Sequence, residues 1–241
     1  MSTIRAIVAG LLSAVSICSA SAQSRISAEV EVKTLAGKSV VTSNKSVYCS
    51  GNGRLVVCMR RPLEYVMSTD NRGTTSFYFP KTNEVFVQNG SADSRDELLT
   101  IFMMGRIDDL GLGLYGYSLQ GSEVLEDGLL KRTYKGSDPD LPPYAEIVFG
   151  TDYLPIYSAS LSADGIVVDK MYYTHYQNIG YVPFPHRLTR ISYTSRTDST
   201  IIRTVYSDVV ADAEDGMFDF KIPSDAKPID SASLQSKFMG R

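Results

Sequence analysis

The sequence predicts a mainly β protein of the α+β kind: a strongly curved antiparallel sheet of about ten or eleven strands, an incomplete barrel, with a helix covering its concave face. Three observations predict it. Short runs rich in Val, Ile, Tyr, Phe and Thr recur along the chain, bounded by Gly, Pro, Asn and Asp. A single stretch, near residues 94–107, carries helical periodicity. No Pro/Gly/Ser-rich linker or block of like charge divides the chain, so the strands are expected to share one domain, residues 23–241.

The first 22 residues read as an export address. Arg5 supplies a positive start, Ala6 to Cys18 is an apolar run too short to span a bilayer, and Ala20-Ser21-Ala22 is a cleavage signal, with the cut after Ala22. A lipidation signal at Cys18 is the rival reading, but Ile17 stands where a small residue is wanted. Removing the address takes Arg5 from the 24 basic residues and leaves 23 against 27 acidic ones. A balance so close to neutral, without a basic face, argues against nucleic acid and against stable docking on anionic membrane. A monomer is expected.

Ile26 to Lys33 alternates Ala28, Val30 and Val32 with Glu29, Glu31 and Lys33, a half-buried strand. Cys49 and Cys58 flank the turn Ser50-Gly51-Asn52-Gly53 and so fall on neighbouring strands. A disulfide between them in an oxidising compartment is the expectation, and two buried free thiols the alternative. From Gly53 to Val87 the chain reads as a meander: Leu55–Met59, Leu63–Met67, Ser76–Phe79 and Glu84–Val87. Arg61-Pro62, Asp70-Asn71-Arg72-Gly73 and Pro80-Lys81-Thr82-Asn83 make its turns.

The helix is expected from Ser94 or Arg95 to Ile107, capped by Asp93 or Ser94, with Leu98, Ile101 and Phe102 on one face and Leu99, Met103 and Met104 widening it. Gly111-Leu112-Gly113-Leu114-Tyr115-Gly116 formally matches a dinucleotide fingerprint, but it follows a helix and leads into a strand pattern, so it reads as a mobile loop and a possible hinge. Further strands are expected at Leu129–Lys135, Tyr144–Phe149, Ile156–Leu161, Val167–Tyr176, His186–Thr194, Thr200–Asp208 and Met217–Ile222.

The order of glycine, apolar strand, Arg61-Pro62, strand with Tyr65, turn, Phe77-Tyr78-Phe79-Pro80 and strand resembles the core of the LolA-like periplasmic carriers of outer-membrane lipoproteins. Met217-Phe218-Asp219-Phe220-Lys221-Ile222-Pro223 is similar to that family's last strand. The resemblance implies a half-barrel that holds acyl chains of lipoproteins, an inner-membrane donor, an outer-membrane acceptor and a periplasmic location. It also implies that Arg61 holds a lid closed and couples loading to release, with Tyr65 as the aromatic at the exposed end of the cavity. The chain departs from the family at its start, where a strand replaces an amphipathic helix.

The residues offer little to catalysis. His175 and His186 have no Gly-x-Ser-x-Gly elbow, no metal-ligand spacing surrounds them, and Asp138-Pro139-Asp140 lacks the ligands of a calcium loop. No enzyme activity, metal or cofactor is expected. The remaining signal is aromatic: 15 Tyr and 9 Phe without Trp, concentrated in strands. One sheet face is therefore expected to line a cavity with Phe77, Phe79, Leu98, Ile101, Phe102, Met103 and Tyr173. The other reading of the same half-barrel is an envelope sensor or protein-interaction module.

Overall fold

A computed structural model describes residues 25–70, 72–89, 98–195 and 198–239. The leader at 1–22 and the expected first turn of the helix, 94–97, lie outside the described residues.

Alternation builds the sheet from its first strand. In β1 (Arg25–Ala36), Ile26, Ala28 and Val30 are buried while Glu29 and Glu31 face the other way. β2 (Ser39–Ser50) returns beside it, and β3 (Leu55–Arg61), β4 (Tyr65–Thr69), β5 (Thr74–Phe79) and β6 (Glu84–Asn89) continue the meander. After the helix α1 (Leu98–Met103) come β7 (Ser118–Val124), β8 (Leu130–Lys135), β9 (Tyr144–Phe149), β10 (Pro155–Leu161), β11 (Val167–Ile179), β12 (Val182–Tyr193) and β13 (Ser199–Ala211). β13 pairs with β1, which joins the two meanders into one curved, unclosed sheet. With β14 (Lys227–Pro228) its order is β14-β6-β5-β4-β3-β2-β1-β13-β12-β11-β10-β9-β8-β7, and β7 is an open edge with every residue exposed.

The expected incomplete barrel is therefore found, with fourteen strands instead of ten or eleven. The extra ones include β7 and the two-residue β14 (Lys227–Pro228), neither of which carries an apolar alternation to announce it. The expected strand Met217–Ile222 is a correction. Residues Gly216–Asp219 form a 3-10 turn capped by Asp215, whose side chain accepts a hydrogen bond from the Met217 amide. Phe218 is buried against Tyr48 at 5.3 Å with Arg25 5.2 Å above it, and Phe220 packs on Tyr78 at 6.0 Å. These rings decorate the convex face instead of adding a strand to it.

The chain after β13 is thus a strap. Arg54 donates to the Phe220 carbonyl, and Asn83 donates to the Asp225 carboxylate at 3.0 Å. The Lys227 amide donates to Asn83 and the Ile229 amide to Val85, so β14 extends the sheet beside β6. The strap ends in a second helix, α2 (Ser231–Met239), started by Asp230, whose carboxylate accepts from the Ser233 amide at 2.8 Å. One helix was expected; the described residues hold two.

The main core lies on the concave face. Ile26, Ala28, Val30, Val47, Cys49, Leu55 and Val57 from the first meander meet Tyr173, Phe184, Leu188 and Tyr206 from the second, with Leu99 and Phe102 of α1 between them. A smaller cluster of Tyr134, Ala145, Ile147 and Phe149 lies beyond, and Leu110 packs against both.

Candidate functional site

The concave face is the candidate site, and its residues fall into three regions. In the first, α1 fills the half-barrel. Leu99 and Phe102 are 0% and 1% exposed, Ile101 is buried, and Leu98 and Met103 pack partly against the core. The Phe102 ring meets Phe184 edge-on at 5.2 Å, and Phe184 meets Tyr206 at 4.9 Å. The space left among Ile26, Leu99, Phe102, Met103, Ile179, Val182 and Phe184 is about 20 Å³. Pockets for small molecules hold roughly 300–1,000 Å³, so α1 occupies the face it was expected to roof. Gly105, at φ +68°, ends the helix before Ile107.

The glycine loop that follows is pinned where a hinge was expected. Asp109 accepts from Arg106 at 2.8 Å and from the Gly111 and Gly113 amides at 2.9 and 3.1 Å. Burial pushes this carboxyl up, but the Arg106 guanidinium and the two amides outweigh it and hold it below the usual carboxylate range. A Cβ at position 113 would lie 2.8 Å from the Arg106 and Asp109 side-chain ends, so a larger residue there would have to displace that ion pair. Tyr134 donates to the Asp108 carbonyl at 2.9 Å, which anchors the loop to β8.

In the second region, Tyr65, Phe77 and Phe79 share the concave face through the register of β4, β5 and β6. The sequence groups these three, and the structure brings them together at 5.9 and 6.1 Å from the Tyr65 ring. Burial raises the pKa of Tyr65. What covers them is α2. Phe238 stands edge-on to Tyr65 at 5.5 Å and to Phe77 and Phe79 at 6.3 Å each. Lys237 pairs with Glu84 at 2.6 Å and lies 4.7 Å over the Phe79 ring. The Lys237 and Thr82 bonds hold the Glu84 carboxyl below its ordinary range. Even so, Phe238 remains 46% exposed, and α2 has no buried residue. Asp230 as a cap, Lys237 in the last turn and Gly240 beyond it were the sequence signals for this helix.

The third region is polar. Ser158 pairs across the sheet with Met171 and Ser160 with Asp169, while Arg190 and Ser192 continue those rows on β12. The Tyr173 hydroxyl lies 3.0 Å from Ser158, and burial pushes its pKa up to about 12. Asp169 accepts from Arg190 at 2.8 Å and from Ser192. A cavity of about 140 Å³ opens here under Leu110 and Leu112.

Other expected site residues lie elsewhere. Arg61 pairs with Asn44 on β2, and with Glu31 and Val205 it lines a polar cleft of about 500 Å³ on the convex side. An irregularity between Asn44 and Lys45 leaves Arg60 as the extra residue, bonded to Glu29 at 2.8 Å and to Ser46. Arg61 is exposed, its guanidinium has no ion-pair partner among the described residues, and it is not brought to α1.

The expected disulfide is a correction: no disulfide joins Cys49 and Cys58. Cys49 stands opposite Leu55 and Cys58 opposite Ser46, so the two are three positions apart along the ladder and point to opposite faces. That offset is about 10 Å, beyond the roughly 4.4–6.8 Å between bonded cysteine Cα atoms. Cys49 contacts Thr100 of α1 at 3.7 Å. Burial pushes the Cys58 thiol up to about 11 against the pull of Arg60, which suppresses the reactive thiolate. Among the described residues no group of three His, Cys, Asp or Glu side chains is placed to hold a metal ion, and no helix is long and apolar enough to cross a membrane.

An open half-barrel whose concave face is occupied by its own chain is the class these features define. Solved structures share the fold. A LolA superfamily protein from Nitrosomonas europaea superposes with a TM-score of 0.55 at 17% identity, over 82% of this chain and 90% of its own. A DUF1329 family protein from Desulfovibrio piger does so at 0.57 and 15% identity, over 82% and 90%. A putative outer membrane lipoprotein-sorting protein domain from Vibrio parahaemolyticus gives 0.56 at 11% identity, over 81% and 89%. The resemblance read from Arg61-Pro62, Phe77-Tyr78-Phe79-Pro80 and the C-terminal Phe residues is thus met at the level of fold. No protein-family model and no curated protein matches the sequence.

Proposed function

We propose that this chain is a non-enzymatic carrier of the periplasm that takes up an acyl chain, carried by a lipoprotein or a related lipid, on the concave face of its half-barrel. The observation that carries the reading is the seating of Phe238. An aromatic side chain from the far end of the sequence stands on Tyr65, Phe77 and Phe79 and stays half exposed, as a removable occupant of an apolar site would. Magnitudes favour displacement. Ring contacts of this kind contribute about 0.5–1.5 kcal/mol each beyond area, and each buried methylene contributes roughly 0.8 kcal/mol. A chain that buries only a few methylenes on Tyr65, Phe77 and Phe79 therefore replaces Phe238 with little net cost. Such a site loads and unloads without an energy source, whereas burial of a whole acyl chain would hold it too tightly for transfer. Structural neighbours from the LolA superfamily and from a lipoprotein-sorting protein domain support the same cargo class.

The test is titration of a fluorescent fatty-acyl probe into wild type and Phe238→Ala. Saturable binding that tightens in the variant is expected. Binding to neither protein sinks the carrier reading and favours the protein-interaction module.

A further inference from the structure

We infer that the polar compartment formed by Ser158, Ser160, Asp169 and Tyr173 is a head-group subsite, which takes an uncharged, hydroxyl-bearing head such as an acylglycerol's. The inference rests on the carrier reading and specifies its ligand.

Placement comes first. Ser158 and Ser160 alternate along β10, and their partners Met171 and Asp169 alternate along β11, so all four project from one sheet face. That face is the concave one, because Met171 and Tyr173 pack in the core that α1 covers. Tyr173 belongs both to that apolar core and to the lining of the 140 Å³ cavity. Leu110 bridges the same boundary, since it packs against both core clusters and roofs the cavity. An amphiphile that reaches the boundary at Leu110 and Tyr173 therefore meets hydroxyls and a carboxylate where the apolar lining stops.

The chemistry of the lining selects the head. Tyr173 and Ser158 bond to each other and can each exchange that bond for one to a ligand hydroxyl. Asp169 offers acceptor lone pairs, yet its charge is already compensated by Arg190 and a Ser192 hydroxyl. Asp169 is the one acidic side chain on this face of the lining, since Glu146 pairs with Ala159 and projects to the other face, and no Lys or Arg lines the cavity. A phosphate head would thus meet the Asp169 carboxylate and no cation free of a partner, since Arg190 is already engaged by Asp169, while a glyceryl hydroxyl finds both donors and acceptors. A bare carboxylate head is disfavoured for the same reason.

The experiment is displacement of a fluorescent acyl probe from the full chain by palmitoylglycerol, palmitate and palmitoylglycerol phosphate, whose tails are identical. Palmitoylglycerol is expected to compete about tenfold more strongly than the phosphate, the factor for a site that leaves a ligand group unpaired. Asp169→Asn, which keeps the shape, should narrow that gap by admitting the phosphate. Ser160→Val, which fills the compartment from a partly exposed position, should weaken palmitoylglycerol to the level of palmitate while leaving the probe bound. Equal competition by all three in wild type overturns the head-group assignment and leaves the carrier reading intact. Stronger competition by a palmitoyl chain with a cationic head also overturns it, because Asp169 would then act as an uncompensated charge. Loss of probe binding altogether in wild type sinks the carrier reading itself.

Discussion

The two helices sit on the same concave face on opposite terms. Of the six described residues of α1 four are buried, and Phe102 meets Phe184 of β12, whose ring is met in turn by Tyr206 of β13. α2 is nine residues long and none is buried; it rests on three aromatic edges and one ion pair. A short helix in isolation is marginal in water, so each exists through what it covers. α1 replaces the missing second layer of the sheet, and α2 covers a patch that would otherwise be wet.

The comparison breaks most visibly at Phe102. Phe102→Ala should cost about 3–5 kcal/mol of unfolding free energy, read from urea denaturation, because the ring leaves a hole that Phe184 and Leu99 cannot close. Phe238→Ala should cost less, about 1.5–2 kcal/mol in the same assay, the low end for three ring contacts at a half-exposed position, while tightening the acyl probe several-fold. If the two variants lose stability alike, α2 is core and the distinction drawn here fails.

A third variant asks whether the seats communicate with the convex side. Arg61→Leu should leave stability within about 0.5 kcal/mol and leave probe affinity unchanged, since Arg61 lines the convex cleft and is not placed beside either helix. A large shift in probe affinity would restore the lid role that the resemblance implies.

Acidification supplies the smallest and most selective effect. His186, whose ring lies 5.8 Å from Phe184, has its pKa lowered from 6.5, chiefly by burial. The unfolded chain then takes up a proton that the folded chain refuses, so this contribution to stability is intact above pH 6.5 and is lost as pH falls through the lower folded value. Glu84 is depressed from 4.5, first by Lys237, so the α2 latch persists to lower pH and loosens only as pH falls through that depressed value. Lowering the pH from 7 to 5 should therefore accelerate opening around α1 by a larger factor than around α2, read by hydrogen exchange, and His186→Gln should abolish that difference.

Much of the fold was legible where turn residues frame the strands. Arg61-Pro62, Asp70 to Gly73 and Pro80 to Asn83 mark the ends of β3 to β6 to within a few residues. The apolar face of Leu98 to Met103 was readable as well, although its role was not: periodicity says that a face is buried and is silent on whether it roofs a space or fills it. Phe218 and Phe220 misled because alternation is equally satisfied by two rings laid on an existing sheet. Cys49 and Cys58 misled because a hairpin brings strands together without fixing parity, and here parity puts the thiols on opposite faces. Ser158 and Ser160 gave no signal, since small polar residues in a strand ordinarily mark a solvated face.

The strap has a kinetic meaning. Because the Lys227 and Ile229 amides are bonded to the β6 side of the sheet, α2 is tied down beside its own seat and cannot diffuse away when Phe238 lifts. A segment so tethered returns at millimolar effective concentration, and short loops close within about 10–100 ns. Whatever occupies Tyr65, Phe77 and Phe79 therefore competes with a partner that is never absent. The residence time of cargo is then set by how fast the cargo itself lets go, because the vacated surface is covered again before a second molecule can arrive.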